Sequence, residues 1–516
     1  MSNTSKRWIA WILRRRGWMM LASCVVLGII FRFWRLDTIP PALAEAEAAT
    51  GLAARQLAEH FSLAALGNVL LGREALFIIL EAIAVAALGH TELAIRVVPA
   101  VLGCVAVLTT SLWANSWWGR RVALVAALVM AVTPWAVILE RTAYSAATIP
   151  LLITLGLWLG TKARHTGRLS WAAAAGAVMG LGCYAYPAGW PVMAFASLAI
   201  LGGLIWRTPK LAVSRPLIYV GALVAVMTPF IFGLGLSSGR LVSPPVANVM
   251  DKTVNQGNPV TAGLSALGRT VLMINFRGDS NYAHNVAGEP QLNIFVGIMA
   301  VFGLLIALTM LRRPRYAVVL GLLAAGLVPG VIGAGTAPDA LRTFAAIVPL
   351  AALAGVGVSY MINYWYNTFP INSAARTTGF ASMLLLLGLS VYHGYTAYFV
   401  AWADAPGTYL AQSESTTNLA KFIKTYPTTR NRVLVVDPAA RGIVRYLVDQ
   451  PEKLKFITAD EIAGLPESLK PAQVVVDRSQ RDAAVAALRI KFSGGQLRPH
   501  YSDHSDEEIY AVYETK

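Results

Sequence analysis

Two glutamates set two residues apart, Glu45 and Glu47, stand in RLDTIPPALAEAEAATGLAA (35–54), just past the first apolar run of membrane length. Carboxylates at a membrane surface are solvated, paired or in use. In use, such a group takes the proton of an attacking hydroxyl. On a helix the two would point about 200° apart, and in an extended loop to one face. A helix starting here therefore turns only one of them toward a cavity. The competing reading is that both serve the positive end of a helix over 48–60. The stretch RGDSNYAHNVAGEPQLN (277–293) gathers Asp279, Asn281, His284 and Asn285 ahead of a second apolar run. Such a density of hydrogen-bonding groups suits sugar hydroxyls, or an ordered loop that caps the following helix. A lone histidine among scattered carboxylates, with no ligand pair at helical spacing, predicts no metal centre. No cofactor is implied, and a divalent metal stays possible without support.

The elements that must hold these groups are mostly apolar. Of 516 residues 56% are hydrophobic and 14% charged, with a mean hydropathy of +0.56. These values exclude an ordinary soluble domain and predict an all-α polytopic membrane protein. The net charge of +16 does not call for nucleic acid as a partner. Much of it sits in short connections between apolar runs, where orientation and anionic membrane lipids account for it. Cys24, Cys104 and Cys183 all fall within such runs, so buried thiols and no disulfide are expected.

Runs of about 20 apolar residues predict eleven spans, at 17–33, 97–117, 122–139, 143–161, 169–184, 191–205, 216–234, 292–311, 317–332, 344–362 and 380–398. A basic segment, 1–16, precedes the first and carries no cleavage site, so the N-terminus is expected in the cytoplasm. The run 74–88 is short and holds Glu81. If it does not cross, the basic connections 119–121, 162–168, 207–215 and 312–315 all lie inside, as membrane proteins prefer; if it crosses, all lie outside. It is therefore read as a surface-lying or half-inserted helix of an outer loop spanning 34–96. The polar loop 237–291 and the turn at 337–342 then also face outward, and the three are expected to converge. Arg342 opens a span on that side, against the positive-inside trend. An arginine's planar fork grips phosphate at two points, which makes Arg342 a candidate phosphate ligand. Tyr184 and Tyr186, in YAYPAGWP (184–191), lie at the outer end of a span, either as part of an interfacial aromatic belt or as a surface for a sugar or prenyl chain.

The membrane part is read as 17–402. Over 403–516 the composition becomes that of a soluble α/β domain, expected outside the membrane. RVLVVD (432–437), KFITAD (455–460) and QVVVD (473–477) read as strands, with helices after the first and third, and EEIYAVYE (507–514) alternates like a half-buried strand. No phosphate loop or metal spacing appears there.

Several of these stretches resemble bacterial membrane glycosyltransferases of the dolichyl-phosphate-mannose-protein mannosyltransferase kind, in the GT-C superfamily. RFWRLDTIPPALAEAEAATGLAA is similar to their first outer loop, where an Asp-Glu pair follows Pro-Pro. Glu47 takes the place of the Glu, Ala46 that of the proposed catalytic Asp, and Glu45 stands one residue early. GREALFIIL (72–80), with Arg73 and Glu74, resembles a family segment whose charges bind phosphate or pair with each other. GHTELAIR (89–96) resembles the Glu and Arg of an anchoring ion pair. ERTAYSAATIP (140–150), with Arg141, also resembles the family. So does PDALRTFAAIVP (338–349), with Asp339 where a His is frequent. The resemblance implies an inverting transfer of a sugar from a polyprenyl-phosphate donor to a glycan, lipid or protein on the outer face of a bacterial cytoplasmic membrane. Glu47 or Glu45 would be the base, and Arg342, Arg73 and Arg141 phosphate or anchoring cations. Ala46 carries a second expectation, a non-catalytic homologue that binds a lipid-linked glycan or a membrane partner.

Overall fold

A computed structural model of the chain describes residues 19–72, 74–206, 214–236, 248–426, 431–466, 472–502, 504 and 506–515. It bears out the expected class, a polytopic helical membrane protein with a small α/β domain. The chain divides into two compact units. One comprises 1–34, 66–77 and 99–398, the other 35–65, 78–98 and 399–516.

The first unit is a helical bundle. Among the described residues seven helices are long and apolar enough to cross a membrane: Glu92–Trp118, Ser145–Thr166, Pro187–Ile205, Ser214–Gly233, Pro314–Ile332, Phe344–Thr368 and Ser373–Trp402. The first of these begins in the other unit and enters the bundle at Pro99. Met19–Phe33, Leu169–Tyr184 and Ile294–Thr309 match further expected spans but are shorter. The expected span 122–139 is instead two helices, Arg120–Val132 and Pro134–Leu139. Pro134 has no N–H to donate and drives Thr133 to extended backbone, φ −64° and ψ 126°, which ends the first helix.

Small residues set the packing, as expected where lipid supplies no hydrophobic drive between helices. Gly176 and Gly180, one turn apart, let the helix Leu169–Leu181 lie against Ser214–Leu236. A Cβ on either would collide with the carbonyls of Tyr219 and Leu223. Gly303 and Gly357 do the same for Ile294–Thr309 and Ile347–Thr368.

The stretch 237–291 is not simply a polar loop. Residues 237–247 lie outside those described, but Pro259–Asn275 is a helix whose N-cap, Asn258, accepts from the N–H groups of Val260 and Thr261. Its Ala266, Thr270, Met273 and Ile274 are buried, while Val260, Leu264, Val271 and Leu272 are exposed. Apolar on both sides, it suits the interface of a membrane better than water.

The second unit is built on a five-stranded sheet: β1 (Asn431–Val435), β2 (Lys455–Ile457), β3 (Ala472–Asp477), β4 (Gln496–Tyr501) and β5 (Glu508–Glu514). Its order is β2-β1-β3-β5-β4, with β2, β1 and β3 parallel and β5 antiparallel to both neighbours. Strand β4, unforeseen, carries Pro499, which an edge strand tolerates. The last strand is not half-buried as its alternation suggested. Ile509 to Tyr513 are all buried, because β5 lies inside the sheet and the helix Glu414–Thr425 packs on it. The unit also takes in the first loop. Arg55, on the helix Glu45–Glu59, donates to the carbonyls of Arg445, Tyr446, Val448 and Asp449, capping the end of the helix Arg441–Leu447. Gly51 lies close against the Tyr446 ring, and the Tyr446 hydroxyl donates to the Thr91 carbonyl at 2.9 Å.

Candidate functional site

In the second unit the helix Glu45–Glu59 starts three residues before the expected 48–60. Its start is fixed by Glu47, whose Oε2 accepts the Ala44 N–H at 2.9 Å, the return arm of a capping box. Both glutamates thereby enter the first turn, and the turn separates them. Glu47 is wholly buried and Glu45 exposed. The other Glu47 oxygen lies 3.6 Å from Nε of Arg96, also wholly buried. Arg96 donates in turn to the carbonyls of Pro40, at 2.8 Å, and Ala42. Glu47 thus holds the Pro-Pro stop and the helix start together.

Glu45 has a different environment. Partial burial raises its carboxyl above the ordinary value, and the charges of Asp437 and Asp477 raise it further. Asp437 stands two residues past the carboxyl end of β1 and Asp477 is the last residue of the parallel strand β3. Asp477 is held by the hydroxyls of Ser415 and Thr416 at 2.5 and 3.0 Å. The expected ion pair at the start of the next helix is corrected. Glu92 pairs with Lys421 at 2.9 Å and Arg96 with Glu47, so neither serves the other. Glu81 is buried beside Thr50, whose hydroxyl lies 3.5 Å away.

In the first unit the residues 277–293 and the turn before Phe344 meet. Asp279 Oδ2 accepts the Ala340 N–H at 2.9 Å and lies 3.7 Å from His284 Nδ1. Asp339 accepts the Arg342 N–H on one oxygen and faces Arg342 Nε at 3.2 Å with the other. Arg342 Nη1 packs over Gly333, where a Cβ would strike it. The Tyr186 hydroxyl belongs to the same group. Burial pushes it well above its usual value, Asp339 and Glu74 add to the push, and Arg342 opposes it. Tyr144 stands edge-on to His284, with ring centroids 5.4 Å apart. Asn281 is exposed beside His284, whereas the Asn285 amide is consumed by the carbonyls of Asp279 and Glu289.

One ligand atom from each of Asp279, His284 and Asp339 falls within 4.8 Å of the others, a grouping that sequence spacing could not reveal because 54 residues separate His284 from Asp339. As a metal centre it fits poorly. Three of its four carboxylate oxygens already accept backbone N–H groups, from Asn281, Ala340 and Arg342, and the Arg342 cation stands against Asp339. The guanidinium of Arg342, the phenol of Tyr186 and the imidazole of His284 are gathered around these two aspartates.

Two predicted site residues are occupied by the fold. The Tyr184 hydroxyl donates to the Val226 carbonyl and accepts from the Phe230 N–H, both at 3.0 Å, filling the gap that Pro229 opens in the helix Ser214–Leu236. Arg141 donates to the carbonyls of Phe31 and Trp34 at 2.8 Å and lies over the Tyr398 ring, closing the end of the first helix. Its neighbour Glu140 forms a wholly buried pair with Arg32. Arg73 lies outside the described residues, and Glu74 has a positive φ of 60°. The three cysteines are free thiols.

A multi-span bundle with broken helix ends, and an α/β unit that incorporates the first loop, define the class: a polytopic membrane protein with the GT-C glycosyltransferase fold. The likeness drawn from the sequence is borne out, since the profile of the dolichyl-phosphate-mannose-protein mannosyltransferase family matches residues 75–232. ArnT from Cupriavidus metallidurans, bound to undecaprenyl phosphate, is similar over 98% of this chain and 98% of its own, at 13% identity and a TM-score of 0.58. The archaeal oligosaccharyltransferase AglB from Archaeoglobus fulgidus, in complex with an inhibitory peptide and a dolichol-phosphate, is similar over 97% of this chain and 74% of its own, at 13% identity and a TM-score of 0.54. Among curated proteins, none matches the chain in sequence.

Proposed function

We propose that the protein is a membrane glycosyltransferase that moves a sugar from a polyprenyl-phosphate donor to a glycan, lipid or protein acceptor on the outer face of a bacterial cytoplasmic membrane. The observation that carries this reading is the end-to-end likeness to a GT-C protein bound to undecaprenyl phosphate. In this reading Arg342 and Tyr186 hold the donor phosphate, with Asp339 orienting the guanidinium. Asn281 and His284 offer hydrogen bonds to the sugar. Glu45 accepts the proton of the acceptor hydroxyl as that oxygen attacks the anomeric carbon and the lipid phosphate leaves, inverting the centre. Its exposure and raised carboxyl favour it over Glu47, whose oxygens face Ala44 and Arg96. A carboxylate that holds its proton more tightly is the stronger base. The N-terminus lies in the cytoplasm and 403–516 outside.

A second reading rests on Ala46, which cannot take a proton, and on the structural use of Glu47. It makes the protein a lipid-glycan binder that has kept the fold without the chemistry. One experiment separates the two: full-length protein in lipid bilayers, given labelled polyprenyl-phosphate sugars, as wild type, Glu45→Gln and Ala46→Asp. Transfer by wild type that is lost in Glu45→Gln supports the enzyme. Donor binding without transfer, with turnover gained only in Ala46→Asp, supports the binder.

A further inference from the structure

A cavity of about 370 Å³ opens at one end of the bundle, where the helices Glu92–Trp118, Thr148–Thr166 and Trp190–Ile205 finish and Pro314–Ile332 begins. Leu157, Ile200 and Val318 line it about one to two and a half turns inside the helix ends, its depth, whereas Trp117, Trp206, Arg164, His165 and Arg315 line it at or next to those ends, its rim.

Two features of this cavity have no packing explanation. Gly202 and Gly203 both face it from the last turn of a helix, and glycine is a poor helix former. A Cβ on either would meet nothing within 4 Å, unlike Gly160 on the same wall, where it would crowd Ile200. The pair leaves bare a wall that any side chain would fill. The second feature is charge. Between residues 93 and 250 the chain has a single carboxylate, Glu140, and between 290 and 338 it has none. Glu140 is committed to Arg32. Arg164 is exposed and has no anionic partner among the described residues, and Arg315 is turned onto the Trp117 carbonyl at 2.6 Å and the Tyr316 ring. The cations at this rim must be balanced from outside the protein.

We propose that the cavity is the seat of an anionic glycerophospholipid. Its phosphate lies against Arg164 and Arg315, its glycerol between the two indoles, and the upper part of an acyl chain over Gly202 and Gly203 toward Leu157, Ile200 and Val318. Orientation alone asks for basic residues at this end of the bundle; it does not ask for a hollow with a bare glycine wall. The apolar depth selects a lipid over a free phosphate ion, and the uncompensated charge selects an anionic lipid over a zwitterionic one.

The test is lipid retention by purified full-length protein in detergent. Native mass spectrometry follows titration with dioleoylphosphatidylglycerol or dioleoylphosphatidylcholine, for wild type, Gly203→Leu and Arg164→Gln. Wild type is expected to hold one phosphatidylglycerol roughly tenfold more tightly than phosphatidylcholine. Gly203→Leu, which fills the hollow, and Arg164→Gln, which changes an exposed side chain, should each weaken phosphatidylglycerol binding by about tenfold without lowering the melting temperature in lipid-free detergent. Equal retention of the two lipids, or unchanged retention in both variants, overturns the proposal. So does displacement of the bound lipid by millimolar inorganic phosphate, which would make the site one for a small anion.

Discussion

Replacing Glu47 by glutamine distinguishes a folding role from a chemical one. The substitution preserves side-chain volume and leaves an acceptor for the Ala44 N–H, but it strands Arg96 in the interior without its anion. Breaking a buried pair from one side costs about 3–5 kcal/mol. The 3.6 Å separation and the bonds Arg96 keeps to Pro40 and Ala42 put the loss at the lower end, about 3 kcal/mol. This unit has about 170 residues, for which roughly 2–4 °C per kcal/mol applies, so its unfolding midpoint, followed in the full-length protein in detergent, falls by roughly 6–12 °C. Intrinsic fluorescence melting reads this midpoint, and sugar transfer is then assayed well below it. Glu47→Gln should keep transfer within a few-fold of wild type. Glu45→Gln should melt like wild type and lose about 10²- to 10⁴-fold in rate. A Glu47→Gln protein of unchanged midpoint that transfers no sugar would refute this reasoning and make Glu47 the base.

Other outcomes follow from the same geometry. Arg342→Gln should raise the KM for a polyprenyl-phosphate sugar about tenfold or more, with little change in the melting midpoint. The acid limb of kcat/KM against pH should lie above that of an ordinary glutamate, because the proton must leave a carboxyl whose pKa is raised. Asp437→Asn removes one of the charges that raises it and should move that limb to lower pH. Chelation by EDTA should leave transfer unchanged, since Asp279 and Asp339 spend their oxygens on backbone N–H groups and Arg342. Gly176→Leu should lower the melting midpoint sharply, because no rotamer avoids the Tyr219 carbonyl.

The spans were legible because a run of apolar residues longer than a bilayer is thick leaves the backbone little choice but helix. Their breaks were less so. Pro134 does stop a helix, whereas Pro229 does not, because the Tyr184 hydroxyl, 45 residues upstream, repairs the bonds it breaks. The same distance problem governs the site. The sequence put Glu45 and Glu47 in one motif, but only tertiary partners sort them, Arg96 taking one and the aspartates after β1 and at the end of β3 bearing on the other. Asp279 and Arg342 could be singled out by density and by side of the membrane. That Asp339 stands between them, and that Asn285 is spent on its own loop, needed coordinates. Strand β4 was missed because an edge strand need not look like one.

The Arg55 cap has a consequence for the order in which the protein is made. The helix that carries Arg55 leaves the ribosome early, and the carbonyls it caps belong to residues 445–449. Between the second and third segments of this unit lie residues 99–398. At about 5–20 residues per second, roughly 15–60 s of synthesis separate them. For that interval the first loop has been delivered without the surface it folds on, and a buried arginine waits in solvent for its carbonyls. Chains cut short before 441 should therefore insert their spans and still leave 35–65 open to proteases, so that the last segment made completes one of the first.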